Sequence, residues 1–217
     1  MTLLRKTLFV GLSFLCASAF AATEGEDYVK LAQPLPNAQG TLTKVFSYDC
    51  PHCYKFDRTV DPKLLPYVEK DLGLKFVPMH LETRATYGVA ATEFFIYCMQ
   101  KDKAAGRAYD SEDSLFRKAK DFLYDQYNLM EERWKGGEKD FLAALAKATG
   151  VSLADFEKVR NTPQIQDVRN AWKVSYDIAK IQGIPGYIVN GKYLVKVQAL
   201  RSRDAMKDLV KELKDLP

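Results

Sequence analysis

Cys50 and Cys53 lie two residues apart in the segment Cys-Pro-His-Cys at 50–53. Cysteines at this spacing can close a small disulfide ring and reopen it with little movement of the backbone. A strand-like run over 43–48 leads into the pair, and a helix-like run over 54–58 follows it. Cys50 is therefore expected at the N-terminus of a helix, where unpaired backbone N–H groups and the helix dipole favour a thiolate. A dithiol of this kind can move disulfides between proteins.

The two cysteines are expected to differ in role. Disulfide exchange needs one accessible thiolate that attacks and a second thiol that resolves the mixed disulfide. Cys50, at the start of the helix, fits the nucleophile, and Cys53, one turn further in and more buried, fits the resolving thiol. The imidazole of His52 can donate to the Cys50 thiolate or, when protonated, neutralise it. Each unit by which the Cys50 pKa falls below ambient pH favours the reduced form by about 1.4 kcal/mol, or roughly 30 mV of oxidising power.

Pro185 is the second feature with a chemical consequence. The bond from Ile184 to Pro185 lies between a predicted helix end and a predicted strand, and its tertiary amide makes a cis form accessible. A cis proline close to Cys50 would expose the backbone of Ile184 for pairing with an extended substrate segment. Such pairing recognises the backbone of the substrate and therefore tolerates many sequences. Ile184, Pro185 and Pro51 are therefore the predicted substrate-binding residues.

Two other interpretations of the cysteine pair have less support. Half of a zinc site would need two more ligands, which only Cys98, His80 and His52 offer, and a second cysteine pair is absent from the sequence. No metal is therefore expected. A permanent structural disulfide is also disfavoured, because so short a loop constrains the unfolded chain little.

Four further residues have open roles. Cys98 follows the pattern of a small buried residue on an apolar helix face, and His80 reads as a polar group at a strand end. Lys44 and Asp57 either tune the active site electrostatically or belong to a solvated face, and the sequence favours neither alternative.

Residues 1–21 predict a secretory signal peptide. Arg5 and Lys6 precede an apolar stretch over 8–14 that is shorter than the roughly 20 residues needed to span a bilayer, and cleavage is expected after Ala19 or Ala21. Cleavage removes these two cations, so the formal net charge of +4 falls to +2, which does not argue for a nucleic-acid partner. It leaves three cysteines, too few for a disulfide-stapled scaffold, in a compartment that permits disulfides.

Apolar periodicity and turn residues divide the remaining chain into elements. The predicted strands cover 41–48, 74–79 and a hairpin of 186–189 and 192–195 around Asn190-Gly191. The predicted helices cover 51–61, 63–72, a purely helical block over 85–149, a short helix after Ser152, a long helix from Pro163 to Gly183, and 202–213. This order predicts an α/β protein with a first sheet part over 22–84, a helical insertion over 85–162 and a second sheet part over 163–217.

The segments FSYDCPHCYKF at 46–56 and GIPGYIVNGKY at 183–193 resemble the two signatures of the DsbA family, the periplasmic thiol:disulfide oxidoreductases of Gram-negative bacteria. The resemblance covers nearly all of the chain after residue 21. It implies a thioredoxin fold with an inserted all-helical domain, oxidation of newly exported proteins in the periplasm, and reoxidation by a DsbB-type membrane quinone reductase. It gives Cys50, His52, Cys53 and Pro185 the family's roles, with no cofactor beyond the Cys50–Cys53 disulfide, and a monomer is expected.

Three residues depart from the family pattern. Lys44 stands six positions before Cys50, where members often carry a buried acidic residue, and a cation there would favour thiolates. Ile184 stands where valine is usual, and Cys98 is an extra thiol. These departures leave open a specialised DsbL-like oxidase with a dedicated substrate.

The leading functional hypothesis is a dithiol oxidase of broad substrate range that donates its Cys50–Cys53 disulfide to reduced proteins. A disulfide isomerase or reductase on the same fold is one alternative. The other is a chaperone-like module that binds exported chains and in which the thiols are secondary.

Overall fold

A computed structural model describes residues 22–82, 85–200 and 202–217, so the predicted signal peptide lies outside the described residues. The strands are β1 (Tyr28–Lys30), β2 (Thr41–Phe46), β3 (Lys75–His80), β4 (Gly186–Val189) and β5 (Tyr193–Val195). The helices are α1 (Pro51–Thr59), α2 (Asp61–Lys70), α3 (Gly88–Ala104), α4 (Leu115–Asn128), α5 (Glu138–Thr149), α6 (Leu153–Val159), α7 (Pro163–Ala171), α8 (Val174–Gln182) and α9 (Arg203–Asp215). Within these described ranges, none of the helices is both long and apolar enough to cross a bilayer.

The strands form one sheet in the order β1-β5-β4-β2-β3. β2 is parallel to β3 and antiparallel to β4, so the end of β2, the end of β3 and the start of β4 lie at the same edge of the sheet. The register places Phe46 beside His80 and Val45 beside Gly186. The segment with Cys50 leaves the sheet from this edge.

Alternating side chains of the strands build one core on each face of the sheet. Tyr187 and Val189 face α2 and α9, whereas Ile188 between them joins the core that contains α8 and the helices of the block after β3. All three side chains are fully buried. The sheet therefore has helices on both faces, and the α/β class predicted from the sequence is confirmed.

The structure corrects three predicted elements. The strand predicted over 41–48 ends at Phe46, and β1 was not predicted, because three residues show too little alternation. The single helix predicted from Pro163 to Gly183 is two helices, α7 and α8. Between them the backbone forms a turn of the 3₁₀ type, in which the Lys173 N–H donates to the carbonyl of Asn170, three residues earlier.

The contacts of α7 and α8 bear on the domain division. α7 packs on α3, whereas α8 packs on β2 and β4. We propose the three-part division expected from the sequence, with the chain returning to the sheet domain at the break between α7 and α8 rather than at residue 162.

The hairpin that follows Pro185 depends on a glycine. Asn190 and Gly191 both have positive φ, 53° and 67°, as the predicted two-residue turn requires. A Cβ on Gly191 would lie 2.6 Å from the Ala38 Cβ and 2.9 Å from the Leu35 carbonyl oxygen, so this turn is also a point of close packing.

We expect Gly191→Ala to lower the free energy of unfolding by about 3 kcal/mol, since it combines an unfavourable φ with a clash. Gly150→Ala is the matched control: its φ is +70°, but nothing lies within 4 Å of the added Cβ. That control should cost only about 1 kcal/mol. Urea unfolding of both variants measures the difference, and equal losses would contradict the packing argument.

Candidate active site

Cys50 caps the N-terminus of α1. Its backbone is extended, with φ −90° and ψ 112°, and its Sγ accepts the N–H of Cys53 at 3.1 Å. Pro51 occupies the first helical turn, where it has no N–H that would need a partner. A sulfur thus takes the place that a serine or aspartate oxygen usually occupies in a helix cap.

The two thiols have opposite environments. Cys50 is half-buried and Cys53 is fully buried, and both are free thiols. The pKa of Cys50 is lowered, mainly by a hydrogen bond from the Cys53 thiol and further by the backbone N–H groups of Cys53 and His52, which together outweigh the effect of burial. The pKa of Cys53 is raised well above its ordinary value, first by burial and then by its proximity to Cys50. The arrangement therefore favours a thiolate on Cys50 and a proton on Cys53.

The side chain of His52 is exposed beside Cys50. Its backbone N–H contributes to the lowered pKa of Cys50. The imidazole forms no hydrogen bond with any other residue that the structure describes. The part of His52 that lowers the pKa of Cys50 in this structure is therefore its backbone N–H.

Ile184 lies against Cys50, and Pro185 follows it in the chain. The Ile184–Pro185 peptide bond is cis. The Ile184 carbonyl oxygen lies 3.7 Å from the Cys50 Sγ and accepts its hydrogen when Cys50 is a protonated thiol. A groove of about 650 Å³ runs between α8 and Cys50, and both Pro51 and Ile184 line it. An extended segment in this groove would lie beside the thiol of Cys50.

Lys44 and Asp57 are both buried, so their interpretation as parts of a solvated face is wrong. The Lys44 ammonium forms a hydrogen-bonded ion pair with Asp61 and lies 3.7 Å from Asp57. Asp57 also pairs with Lys120 of α4. Asp61 and Lys120 were not predicted as site residues, because neither belongs to a recognisable motif and they lie on other helices, α2 and α4. We call these four residues the buried charge cluster.

The buried charge cluster keeps Lys44 and Asp57 ionised and acts on Cys53. Burial alone would lower the pKa of Lys44, but Asp61 and Asp57 outweigh it and the pKa is raised. Burial would likewise raise the pKa of Asp57, but Lys120 and Lys44 outweigh it and the pKa is lowered. The charge of Lys44 also lowers the pKa of Cys53, against the larger effect of burial. A cation beneath the resolving thiol thus favours its thiolate, as expected for Lys44.

Two other residues considered from the sequence are buried away from the groove. His80 ends β3, and burial lowers its pKa to about 3. Cys98 is fully buried on α3, as predicted, and burial raises the pKa of its thiol well above the ordinary value. Neither the thiol pair nor any other part of the described chain assembles three or more potential metal ligands.

Comparison with known proteins places this arrangement in a family. The family model described as Thioredoxin matches residues 32–212. The chain is 48% identical over 199 residues to the thiol:disulfide interchange protein DsbL of Escherichia coli O6:H1, covering 91% of this chain and 88% of that protein. It is 26% identical over 215 residues to the thiol:disulfide interchange protein DsbA of Haemophilus influenzae, covering 96% and 95%.

A solved structure agrees with these sequence relatives. The crystal structure of DsbL from Salmonella enterica serovar Typhimurium superposes with a TM-score of 0.83 at 45% identity, covering 91% of this chain and 99% of that one. The thioredoxin fold with a helical insertion, which the sequence resemblance implied, is thereby confirmed. With its dithiol at a helix N-terminus and its relatives at this identity, the chain belongs to the DsbA/DsbL family and is a protein thiol:disulfide oxidoreductase.

Proposed function

We propose that the protein is a dithiol oxidase that donates its Cys50–Cys53 disulfide to reduced proteins. One observation carries the proposal: the Cys50 sulfur accepts hydrogen bonds from the Cys53 thiol and from backbone N–H groups at the start of α1, and these bonds lower its pKa. These bonds favour the thiolate, which exists only after the disulfide has been given away. The protein therefore gains stability when it becomes reduced, which makes it an oxidant of other thiols.

The reaction proceeds in two exchanges. A substrate thiolate attacks the Cys50 sulfur, the Cys50–Cys53 bond breaks, and Cys53 leaves and takes up a proton. A second substrate thiolate then attacks the substrate sulfur of the mixed disulfide, and Cys50 leaves as a thiolate. The substrate loses two electrons and forms its disulfide, and the protein gains them as a dithiol. A leaving thiol with a low pKa departs faster, so Cys50 suits the second exchange.

The neighbours of the thiol pair have distinct proposed roles. The His52 imidazole stabilises the Cys50 thiolate when the ring is protonated or donates to it. The groove beside Ile184, Pro185 and Pro51 holds an extended substrate segment whose backbone pairs with Ile184. Lys44 and Asp57 tune the field at Cys53. The contact of 3.7 Å between the Ile184 carbonyl oxygen and the Cys50 sulfur supports the substrate-binding role of the groove.

The proposed setting is the bacterial periplasm, reached through a cleaved signal peptide over 1–21. Reduced exported proteins are the proposed substrates and a DsbB-type membrane quinone reductase the proposed reoxidant, with the protein acting as a monomer. Relatives named DsbL are 47–48% identical, against 25–28% for those named DsbA. This difference favours the DsbL-like alternative, a specialised oxidase with a dedicated substrate.

The redox equilibrium with glutathione at neutral pH tests the direction of exchange. A donor should be reduced even in oxidising mixtures, near the value of about −120 mV known for DsbA. A disulfide that persists until the buffer reaches about −270 mV would mean a reductase instead. Cys50→Ser separates the chaperone-like alternative, because it abolishes exchange but would leave chain binding intact.

The stability of the reduced form should depend on pH through Cys50. Its pKa is lower in the folded than in the unfolded chain, so the reduced protein gains stability from the folded Cys50 pKa up to about pH 8.5. That gain is lost as pH falls through the folded pKa. Unfolding of the reduced and disulfide forms between about pH 4 and pH 8 measures it, and the disulfide form should lack the step.

His52→Ala should move the midpoint of this step to higher pH by about one unit if the imidazole stabilises the thiolate. Lys55→Ala, which changes an exposed cation on the same helix, is the control. A midpoint that stays in place would assign the effect of His52 to its backbone alone.

Lys44→Met should lower the free energy of unfolding by about 3–5 kcal/mol, since it leaves Asp61 and Asp57 buried with too little positive charge. It should also raise the pKa of Cys53, because the charge of Lys44 that lowers this pKa is gone. Adding Asp61→Asn removes the unpaired charge and should restore part of the stability but not the Cys53 pKa. Denaturant unfolding and thiol titration separate the two effects, and an unchanged Cys53 pKa would refute the tuning role.

A further inference from the structure

We propose that His80, Thr92 and Asn128 hold the Tyr48 backbone from both sides and thereby position the segment that carries Cys50. We call these three residues the Tyr48 clamp. Thr92 lies on α3 and Asn128 ends α4, so the clamp connects the helical insertion to the segment between β2 and Cys50. Its effect on disulfide donation rests on the proposed function.

Hydrogen bonding fixes the His80 ring in one tautomer. His80 Nδ1 lies 2.7 Å from the Thr92 hydroxyl oxygen, and that hydroxyl donates its proton to the Gly88 carbonyl at 3.0 Å. A hydroxyl has one proton, so His80 Nδ1 must be the donor to Thr92. His80 Nε2 is then an unprotonated acceptor. Burial holds the pKa of the ring at about 3, so the ring stays neutral near pH 7.

Tyr48 occupies the acceptor side of this ring. Its backbone N–H points at His80 Nε2 across 3.4 Å, and its phenol ring is parallel to the imidazole within 6°. The hydroxyl of Ser47 also lies 3.5 Å from Nε2, but its proton goes to Asp49 at 2.6 Å. The Tyr48 N–H is therefore the donor to His80.

Asn128 holds the other side of the same residue. Its side-chain amide donates to the Tyr48 carbonyl at 3.0 Å and to the Tyr124 carbonyl, within its own helix, at 2.9 Å. Both polar groups of the Tyr48 backbone thus have side-chain partners, and Tyr48 itself is buried. A strand would have supplied such partners, but β2 has already ended at Phe46.

Ser47, which directly precedes Tyr48, contacts both residues of the thiol pair. The Ser47 carbonyl accepts the Cys50 N–H at 3.2 Å. The Ser47 backbone also hydrogen-bonds Cys53 and lowers its pKa. A shift of Tyr48 would therefore move a contact of each cysteine, which is how Thr92 and Asn128 act on the thiols without contacting them.

Thr92→Val tests the clamp, because it keeps the shape of the side chain and removes the hydroxyl. We expect the ¹⁵N signals of the His80 ring to change from one tautomer to a mixture. The pKa of Cys50, read from thiolate absorbance, should rise, and disulfide donation to a peptide dithiol should slow about fivefold, equivalent to about 1 kcal/mol. Thr92→Ser retains the hydroxyl and should restore the wild-type values.

Thr149→Val is the matched control. Thr149 is also a buried threonine of the helical insertion, and its hydroxyl also donates to the carbonyl four residues before it, Leu145, at 2.8 Å. Thr149→Val should lose about as much stability as Thr92→Val, with no change in the pKa of Cys50 or in the rate of disulfide donation. Equal Cys50 pKa values and equal rates in Thr92→Val and Thr149→Val would overturn the proposal, as would a single His80 tautomer in Thr92→Val.

Asn128→Ala releases the clamp from its half-buried side and covers the case in which Thr92→Val does not fold. It should raise the Cys50 pKa and slow donation in the same way, and unchanged values would again overturn the proposal. The tautomer and the Cys50 pKa do not depend on the direction of exchange. A wild-type protein that fails to donate disulfides would therefore refute the proposed function while these two measurements still decide the clamp.

Discussion

The hydrogen bond from the Cys53 N–H to the Cys50 sulfur is the contact on which the rest of the site depends. A helix N-terminus has N–H groups without helical partners, and here a sulfur satisfies one of them. The bond is strongest when the sulfur is a thiolate. The same contact therefore caps α1 and stabilises the reduced protein, so the start of the helix and the redox bias cannot be varied independently.

A second constraint follows from placing a cation in the sheet. Lys44 on β2 is buried and needs Asp61 and Asp57 to remain charged. Asp57 in turn pairs with a second cation, Lys120, which α4 of the helical insertion supplies. Removing one charge from such a cluster costs far more than an exposed pair would, because its partners are left unpaired out of water. The charges that act on Cys53 therefore depend on how the helical insertion packs against the sheet part of the chain.

The local features of the site could be predicted from the sequence, because each has a short-range cause. The cysteine spacing, the helix start at Cys50 and the Asn190-Gly191 turn depend on adjacent residues, and all lie where they were expected. The partners of Lys44 could not be predicted, since aspartate and lysine on a helix usually face water. The break between α7 and α8 was missed for a related reason: the apolar period continues across it, and packing on two different surfaces divides the helix.

The sheet topology explains why an inserted domain can act on the thiols. β3 runs parallel to β2, so β3 ends, at His80, at the edge from which the Cys50 segment leaves the sheet. β4 runs antiparallel to β2, so β4 begins, at Gly186, at that same edge. The insertion leaves the sheet after β3 and returns before β4, and both attachment points therefore flank the cysteine pair. An insertion at the opposite edge, between β4 and β5, would lie a full strand length away. The helices are consequently placed to supply Lys120 and Asn128 near the pair, while Ile184 contacts Cys50 from the segment before β4.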